Sequence, residues 1–306
     1  MKQSKTVPPN PHQLAFFGAV VAAILWATTG IFIELLRPVN IVWIIWWRCL
    51  LAAMLSLVWI GSRRRLRLTS ASLRQSAFLV LSLFMGGYYF VAVLAFRYAS
   101  VAEVGLILNA SPAVALLIQL FRREPLHRAQ VQGCLIAMLG LVLIFAPQLL
   151  SMGGGSSLRI VGLSLAIVGC VLMALFSRAY TRSVQRGYVP DGDSVALGAF
   201  VVGLLLSSMM PARGFAGVVL PHAAKLWFYL VGLALLGTVA PTILYANAAR
   251  QLPPVVSTAT RLVTPIVMTV AAIYIVDQHP EPLFWVGGAC VLLGLVRLMV
   301  GSTATA

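Results

Sequence analysis

The sequence predicts an all-α integral membrane protein with ten transmembrane helices in two inverted five-helix repeats. The first supporting observation is composition: the 306 residues are 60% hydrophobic and only 9% charged, with a mean hydropathy of +0.96. A soluble domain of this size does not sustain such a composition without aggregating. The other two are a series of apolar stretches long enough to cross a membrane and a helix-breaking pattern that occurs once in each half.

Ten apolar stretches reach the length of about 20 residues that a helix needs to cross a hydrocarbon core of about 30 Å. They lie at 14–36, 41–60, 75–96, 100–121, 129–149, 158–179, 194–211, 224–247, 253–276 and 283–300. The first follows a weakly basic start and is too long for an ordinary signal-peptide core, so we expect it to remain in the membrane. The short connections leave little sequence for a soluble domain.

Lysine and arginine are distributed unequally over the connections. With the N-terminus in the cytoplasm, fifteen of them fall on the cytoplasmic side and five on the opposite side, while Arg48 and Arg261 lie within spans. This bias predicts a multi-pass protein of the cell (inner) membrane with both termini cytoplasmic. It also explains the net charge of +15. We therefore expect the lipid bilayer, and no nucleic acid, to be the partner of basic runs such as 63–67.

The helix-breaking pattern is a proline inside an apolar stretch, followed by an acid. The Ser-Pro pair at 111–112 is followed by Glu124, the Thr-Pro pair at 264–265 is followed by Asp277, and eleven residues separate proline from acid in both copies. Proline cannot donate the backbone hydrogen bond of a helix and clashes with the preceding turn. Within hydrocarbon, an opened helix is tolerated only where it faces protein or water. Two matched interruptions therefore predict a polar path built from an internal repeat.

The repeat divides the chain into a first five-helix unit at 1–152, a Gly/Ser linker at 153–157 and a second unit at 158–306. Because each unit has an odd number of spans, the second copy has the opposite direction in the membrane. Each copy also has two glycines seven residues apart in its last span. These glycines are predicted to pack helices closely, not to bind substrate: Gly133, Gly140, Gly287 and Gly294.

Other features of the first half are an aromatic third span with Tyr88, Tyr89 and Phe90, and a short turn at 97–100. Together with the two proline-interrupted helices, they resemble the drug/metabolite transporter superfamily, and within it the EamA-type ten-helix exporters, over residues 14–300. The resemblance implies a secondary transporter that exports amino acids or similar small metabolites from the cytoplasm by alternating access through a central cavity. A broader drug or lipophilic-metabolite exporter is the alternative.

The two arginines within spans are the charges deepest in the predicted bilayer. Arg261 lies one helical turn before the Thr-Pro pair, where its guanidinium could meet a substrate carboxylate, or it pairs structurally; both interpretations remain open. Arg48 is expected to be structural, with Glu34 on the preceding helix as a candidate partner.

The remaining substrate-binding candidates are polar or aromatic residues that the repeat places near the cavity. Their alternative role is core or lipid-facing packing. Asn109 precedes the first interruption, where a buried amide needs partners. The prolines Pro112 and Pro265 are predicted hinges for alternating access. The full set of candidates is Trp26, Tyr88, Tyr89, Asn109, Ser111, Tyr245, Arg261 and Thr264.

The sequence disfavours an enzyme. None of the four histidines lies in a predicted span, no paired acids do, and no phosphate-binding glycine loop is present. The four cysteines have no metal-binding spacing, so we expect neither a metal nor a cofactor. Two complete halves suffice for a transport path, which favours a monomer. The sequence gives only weak support to a proton relay, so facilitated, gradient-driven export is a hypothesis. A passive channel is a further alternative, which recordings of current across a bilayer would distinguish.

Overall fold

The computed structural model describes residues 11–36, 39–63, 75–99, 101–150, 157–187, 190–210, 224–267, 270 and 282–303. The regular elements in these ranges are all helical. The helices are α1 (Pro11–Leu35), α2 (Ile41–Ser62), α3 (Ser76–Tyr98), α4 (Val101–Asn109), α5 (Ser111–Phe121), α6 (Arg128–Leu150), α7 (Ser157–Gln185), α8 (Gly192–Ser208), α9 (Ala224–Ala249), α10 (Pro254–Ala259) and α11 (Pro282–Thr303). Residues 153–156 of the predicted linker, the two chain ends and Asp277 lie outside the described residues, and Ser157, the last linker residue, begins α7.

Six helices are long and apolar enough to cross a membrane: α1, α2, α3, α6, α7 and α9. Their mean hydropathies lie between 1.8 and 2.5, which confirms the expectation of a multi-pass integral membrane protein. Shorter apolar helices occupy other predicted spans. In particular, α4 and α5 together fill the predicted span 100–121, and the break between them leaves each too short to cross alone.

The predicted interruption at the Ser-Pro pair is confirmed. Helix α4 ends at Asn109 and α5 begins at Ser111, so Pro112 lies in the first turn of α5. A missing N–H costs nothing there, because the first turn of a helix has no partner for its N–H groups. In the second half, α10 changes to a 3-10 turn at Thr260–Leu262, before residues 263–267 return to α-helix with Pro265 among them. Both prolines therefore follow a change in backbone geometry.

Helix α9 contains an interruption that was not predicted from the sequence. Leu235–Val239 form a turn of π-helix, and Thr238 Oγ1 donates to the carbonyl of Leu233, 2.9 Å away. Pro241 follows and cannot donate to the carbonyl of Gly237 four residues before it. That carbonyl instead accepts hydrogen bonds from the side chains of Arg48 and Thr29, each at 3.2 Å.

The glycines seven residues apart pack α6 directly against α11. A methyl group on Gly140 would lie 2.5 Å from the carbonyl oxygen of Gly287, and one on Gly294 would lie 2.6 Å from that of Gly133. Such distances are far below van der Waals contact, so only glycine allows the two backbones to approach this closely. The predicted packing role of these glycines is confirmed.

Candidate functional site

Arg261 lies at the centre of a buried aromatic cluster. Its side chain is only 6% exposed, and its guanidinium carbon lies 4.8 Å from the ring centre of Tyr88 and 5.1 Å from that of Trp26. Nη2 donates a hydrogen bond to the hydroxyl of Tyr88. In the part of the chain that the structure describes, Nε and Nη1 are buried and have no hydrogen-bond partner.

Arg261 is buried because it lies in the 3-10 turn. Its residues Thr260–Leu262 follow the six-residue helix α10, and all three are buried. A buried ion is costly unless hydrogen bonds satisfy its donors, and an unsatisfied donor costs roughly 1–3 kcal/mol, more for a charged group. The N–H groups of Nε and Nη1, which are unpaired among the described residues, therefore make Arg261 a site that an anionic group can complete. A guanidinium binds a carboxylate through two parallel hydrogen bonds along one edge, which here pairs either Nε or Nη1 with the second N–H of Nη2.

Aromatic rings from several helices surround this guanidinium. The rings of Trp26 and Tyr245 have centres 5.2 Å apart, and those of Tyr88 and Tyr89 lie 5.6 Å apart. Phe176 stacks on Tyr245 from α7 with 6.1 Å between centres. These distances are typical of favourable aromatic pairs. The structure thus brings together five of the predicted residues, namely Trp26, Tyr88, Tyr89, Tyr245 and Arg261, in one cluster.

Two serines that were not singled out from the sequence join the cluster at Tyr245. Ser177 Oγ lies 2.8 Å from the Tyr245 hydroxyl, and Ser257 Oγ donates to Ser177 Oγ at 3.2 Å. Both serines are completely buried. Ser257 lies four residues before Arg261, a spacing that places two side chains on the same side of a helix. This spacing is the feature of the sequence that could have identified Ser257 as a neighbour of Arg261.

Arg48 belongs to a second, adjoining network. Its Nε donates to Thr238 Oγ1 at 2.6 Å and its Nη2 to the Gly237 carbonyl. Its guanidinium carbon lies 5.1 Å from the ring centre of Tyr89, whose hydroxyl shares a hydrogen bond with Thr242. The expected structural role of Arg48 agrees with these contacts. The partners are a hydroxyl and a backbone carbonyl; the side chain of Glu34 lies outside the described residues.

The three remaining predicted residues lie at the helix interruptions. Asn109 Nδ2 donates to the carbonyl of Gly105 in its own helix at 2.8 Å. Ser111 is completely buried, and its hydroxyl has no partner among the described residues. Thr264 Oγ1 donates to the carbonyl of Ala23 at 3.1 Å, which joins the interrupted helix to α1. The hydrogen bonds of Asn109 and Thr264 do not reach the aromatic cluster.

The rings of Trp26 and Tyr88 close directly on the Arg261 guanidinium. Two cavities lie elsewhere. One of about 540 Å³ includes Trp59, Asn247 and Arg250. The other, of about 370 Å³, lies between α3, α5 and α7.

Arg178, in the lining of the smaller cavity, forms a two-point ion pair with Glu124, the acid of the first repeat. Arg178 Nη1 lies 2.9 Å from Glu124 Oε2, and Nη2 contacts Oε1. These hydrogen bonds from Arg178, with further attraction from Arg182 and Arg122, hold the pKa of Glu124 below its usual value of 4.5. The pair ties the connection after α5 to the end of α7.

Comparison with known proteins agrees with this architecture. The EamA-like transporter family matches residues 13–146 and 160–300. An uncharacterized transporter of Clostridium kluyveri is 24% identical over 183 residues, covering 59% of this chain and 55% of that protein, so the match spans about half the length of this curated relative. The crystal structure of another protein superposes with a TM-score of 0.76 at 18% identity, over 95% of this chain and 98% of the other. At that identity the superposition demonstrates a shared fold.

The family match covers most of the chain and nearly all of the described helices. It confirms the resemblance drawn from the aromatic span, the proline interruptions and the glycine pairs. The six apolar helices agree with a protein of this kind, since a transporter must cross the bilayer several times. The chain therefore belongs to the EamA-like transporter family.

Proposed function

We propose that this protein is a secondary transporter that exports amino acids or similar small metabolites from the cytoplasm by alternating access. The observation that carries the proposal is Arg261, a buried guanidinium inside an aromatic cluster, whose Nε and Nη1 have no hydrogen-bond partner among the described residues. An ionisable residue at membrane depth is a functional candidate, because its burial is costly without a compensating role.

The substrate class follows from the chemistry of the cluster. Either Nε or Nη1 of Arg261, together with the second N–H of Nη2, suits a carboxylate, while hydroxyls of Tyr245 and Ser177 offer acceptors for an ammonium group. The faces of Trp26 and Tyr88 suit an apolar or aromatic side chain. A small zwitterion with an apolar side chain uses all three kinds of contact.

The proposed architecture has ten spans in two inverted five-helix repeats. The packing of α6 on α11 supports it: Gly133 meets Gly294 and Gly140 meets Gly287, so the two helices are antiparallel with matched spacing. A two-fold axis in the membrane plane between the last helices of the two repeats requires this pairing. The family match in two separate stretches is consistent with two units at 1–152 and 158–306.

The closed cluster suits an occluded step of the transport cycle. Opening requires α1 and α3, which carry Trp26 and Tyr88, to separate from the 3-10 turn that carries Arg261. The interruptions before Pro112 and Pro265 are the proposed flexing points, since a broken hydrogen-bond ladder bends more easily than an intact helix. We further propose an inner-membrane monomer with both termini in the cytoplasm, from the inside-positive charge bias.

The test is uptake of a panel of radiolabelled amino acids into proteoliposomes that contain the full chain. Saturable uptake is expected, and Arg261→Ala should reduce it at least about 30-fold, because two charge-assisted hydrogen bonds contribute roughly 2 kcal/mol or more. Arg297→Ala is the matched control, since Arg297 is exposed and its side chain binds Gln132. Equal uptake by the Arg261 variant and the wild type would refute the carboxylate contact.

Further arms separate the alternatives. Preloaded vesicles of known orientation test the direction of export, and collapse of the pH gradient tests proton coupling. The aromatic cluster also suits flat lipophilic compounds, so an absence of uptake for every amino acid favours the broader drug or lipophilic-metabolite exporter. Continuous current in a planar bilayer would indicate a channel. The names of the family and of the similar protein point to transport and not to an enzyme.

A further inference from the structure

The cavity between α3, α5 and α7 combines two kinds of lining. One part is apolar and includes Val80 and Phe84 of α3. The other part carries four arginines, and we call it the arginine cavity: Arg122, Arg178, Arg182 and Arg186. Its volume of about 370 Å³ is large enough for a small polar group and part of a chain. This cavity is separate from the Arg261 cluster, so a role for it does not depend on the proposed transport function.

Arg178 is the most deeply placed of the four arginines. It is only 6% exposed, and although Glu124 occupies Nη1 and Nη2, its buried Nε has no hydrogen-bond partner among the described residues. Glu124 offsets one positive charge, which leaves three of the four uncompensated within the lining. A buried and incompletely satisfied guanidinium beside three like charges favours an anion.

The N-terminus of α3 adds further positive potential. Ser76 and Ala77, the first residues of this 23-residue helix, line the arginine cavity. Gln75 at the N-cap makes no side-chain capping bond to the first-turn N–H groups, of which that of Phe78 donates to the Gln75 carbonyl at 3.0 Å. The N-terminus of a helix carries a partial positive charge and binds anions, phosphate groups in particular.

The surroundings of the cavity are suited to lipid. Val80 is 42% exposed, and Leu120 and Phe121, just before Arg122, are 59% and 84% exposed. Apolar side chains of this size on the surface of a membrane helix face the acyl chains. The arginines thus lie where lipid-facing surface meets the basic end of the helices.

We propose that the arginine cavity binds the phosphate headgroup of an anionic phospholipid from the cytoplasmic leaflet. The arginines and the α3 N-terminus hold the phosphate, and the apolar lining around Val80 and Phe84 receives the first part of an acyl chain. Charge complementarity selects this occupant: the cytoplasmic leaflet carries anionic lipid, and basic pockets between helices on that side bind such headgroups. A zwitterionic lipid lacks the net charge that three uncompensated arginines favour.

The experiment is native mass spectrometry of the full chain in detergent, titrated with phosphatidylglycerol or with phosphatidylcholine of the same acyl chains. The test variant is Arg122→Gln with Arg186→Gln, because both arginines are exposed and their removal leaves the Arg178–Glu124 pair intact. The matched control is Arg128→Gln with Arg297→Gln, which removes the same charge outside the cavity. Thermal melting of each variant confirms that it is folded.

The expected result is saturable binding of phosphatidylglycerol that is at least about tenfold tighter than that of phosphatidylcholine. The affinity for phosphatidylglycerol should fall about 25-fold in the test variant, at roughly fivefold for each arginine, and less than about threefold in the control variant. Equal binding of the two lipids, or equal loss in both variants, would overturn the proposal. Displacement of phosphatidylglycerol by millimolar inorganic phosphate, which would make a free phosphate the ligand, would overturn it as well.

Discussion

Replacing Gly140 with alanine tests the close backbone contact between α6 and α11. The added methyl group would lie 2.5 Å from the carbonyl oxygen of Gly287 and 2.7 Å from the backbone nitrogen of Val291. Both neighbours are backbone atoms of α11, so relief requires the two helices to separate along their length. Overpacking typically costs about 1–3 kcal/mol, and we expect the upper end because no flexible side chain can yield.

The measurement is thermal unfolding of the purified protein in one detergent, with Gly18→Ala as the matched control. A methyl group on Gly18 meets nothing within 4 Å, so there the change removes only the flexibility of glycine and should stabilise α1 by up to about 1 kcal/mol. Gly140→Ala should lower the melting temperature by several degrees and Gly18→Ala should not. An unchanged melting temperature for Gly140→Ala would refute the close α6–α11 contact.

Three further predictions concern the interruptions and the ion pair. Pro112→Ala should slow substrate exchange several-fold more than it weakens binding, because it restores the helix at a flexing point; a large loss of affinity at an unchanged rate contradicts this. Thr238→Val should lower stability by about 1–3 kcal/mol by leaving Nε of Arg48 unpaired, and Thr238→Ser should restore it in the same melting assay. Because Arg178 lowers the pKa of Glu124 in the folded state, their pair contributes stability above about pH 4.5 that is lost as the pH falls through the lower folded pKa. The carboxylate is partly exposed, so the contribution is about 0.5 kcal/mol, and Glu124→Gln should melt lower than wild type at pH 7, by a difference that shrinks as the pH falls below 4.5; a difference that does not change with pH contradicts the assignment.

Features that depend on local chemistry could be predicted from the sequence. The break at Ser111 and Pro112 follows from the missing N–H of proline, and the close approach of Gly140 and Gly287 follows from the absence of a side chain. Arg261 stood out because a charge in an apolar stretch is expensive. In each case the chemistry of one residue type is enough to predict the local feature.

Features that depend on contact between distant helices could not be predicted. Ser177 and Ser257 are eighty residues apart and look like ordinary polar residues in apolar stretches, yet they meet at Tyr245. The partners of Arg48 were equally hidden, since one of them is the carbonyl of Gly237, and every residue has a carbonyl. Pro241 was the available clue, because a proline in a long helix releases the carbonyl four residues before it.

Pro241 has a consequence for how the membrane interior tolerates a charge. A proline usually counts as a defect of its own helix, but here the vacated carbonyl of Gly237 becomes a fixed acceptor for Arg48 on another helix. A carbonyl dipole does not take up a proton within the range of cellular pH, unlike a carboxylate. The strength of the contact between Arg48 and Gly237 should therefore be the same at either of the two pH values that the membrane separates. The packing of α2 against α9 can then remain rigid while other parts of the protein move.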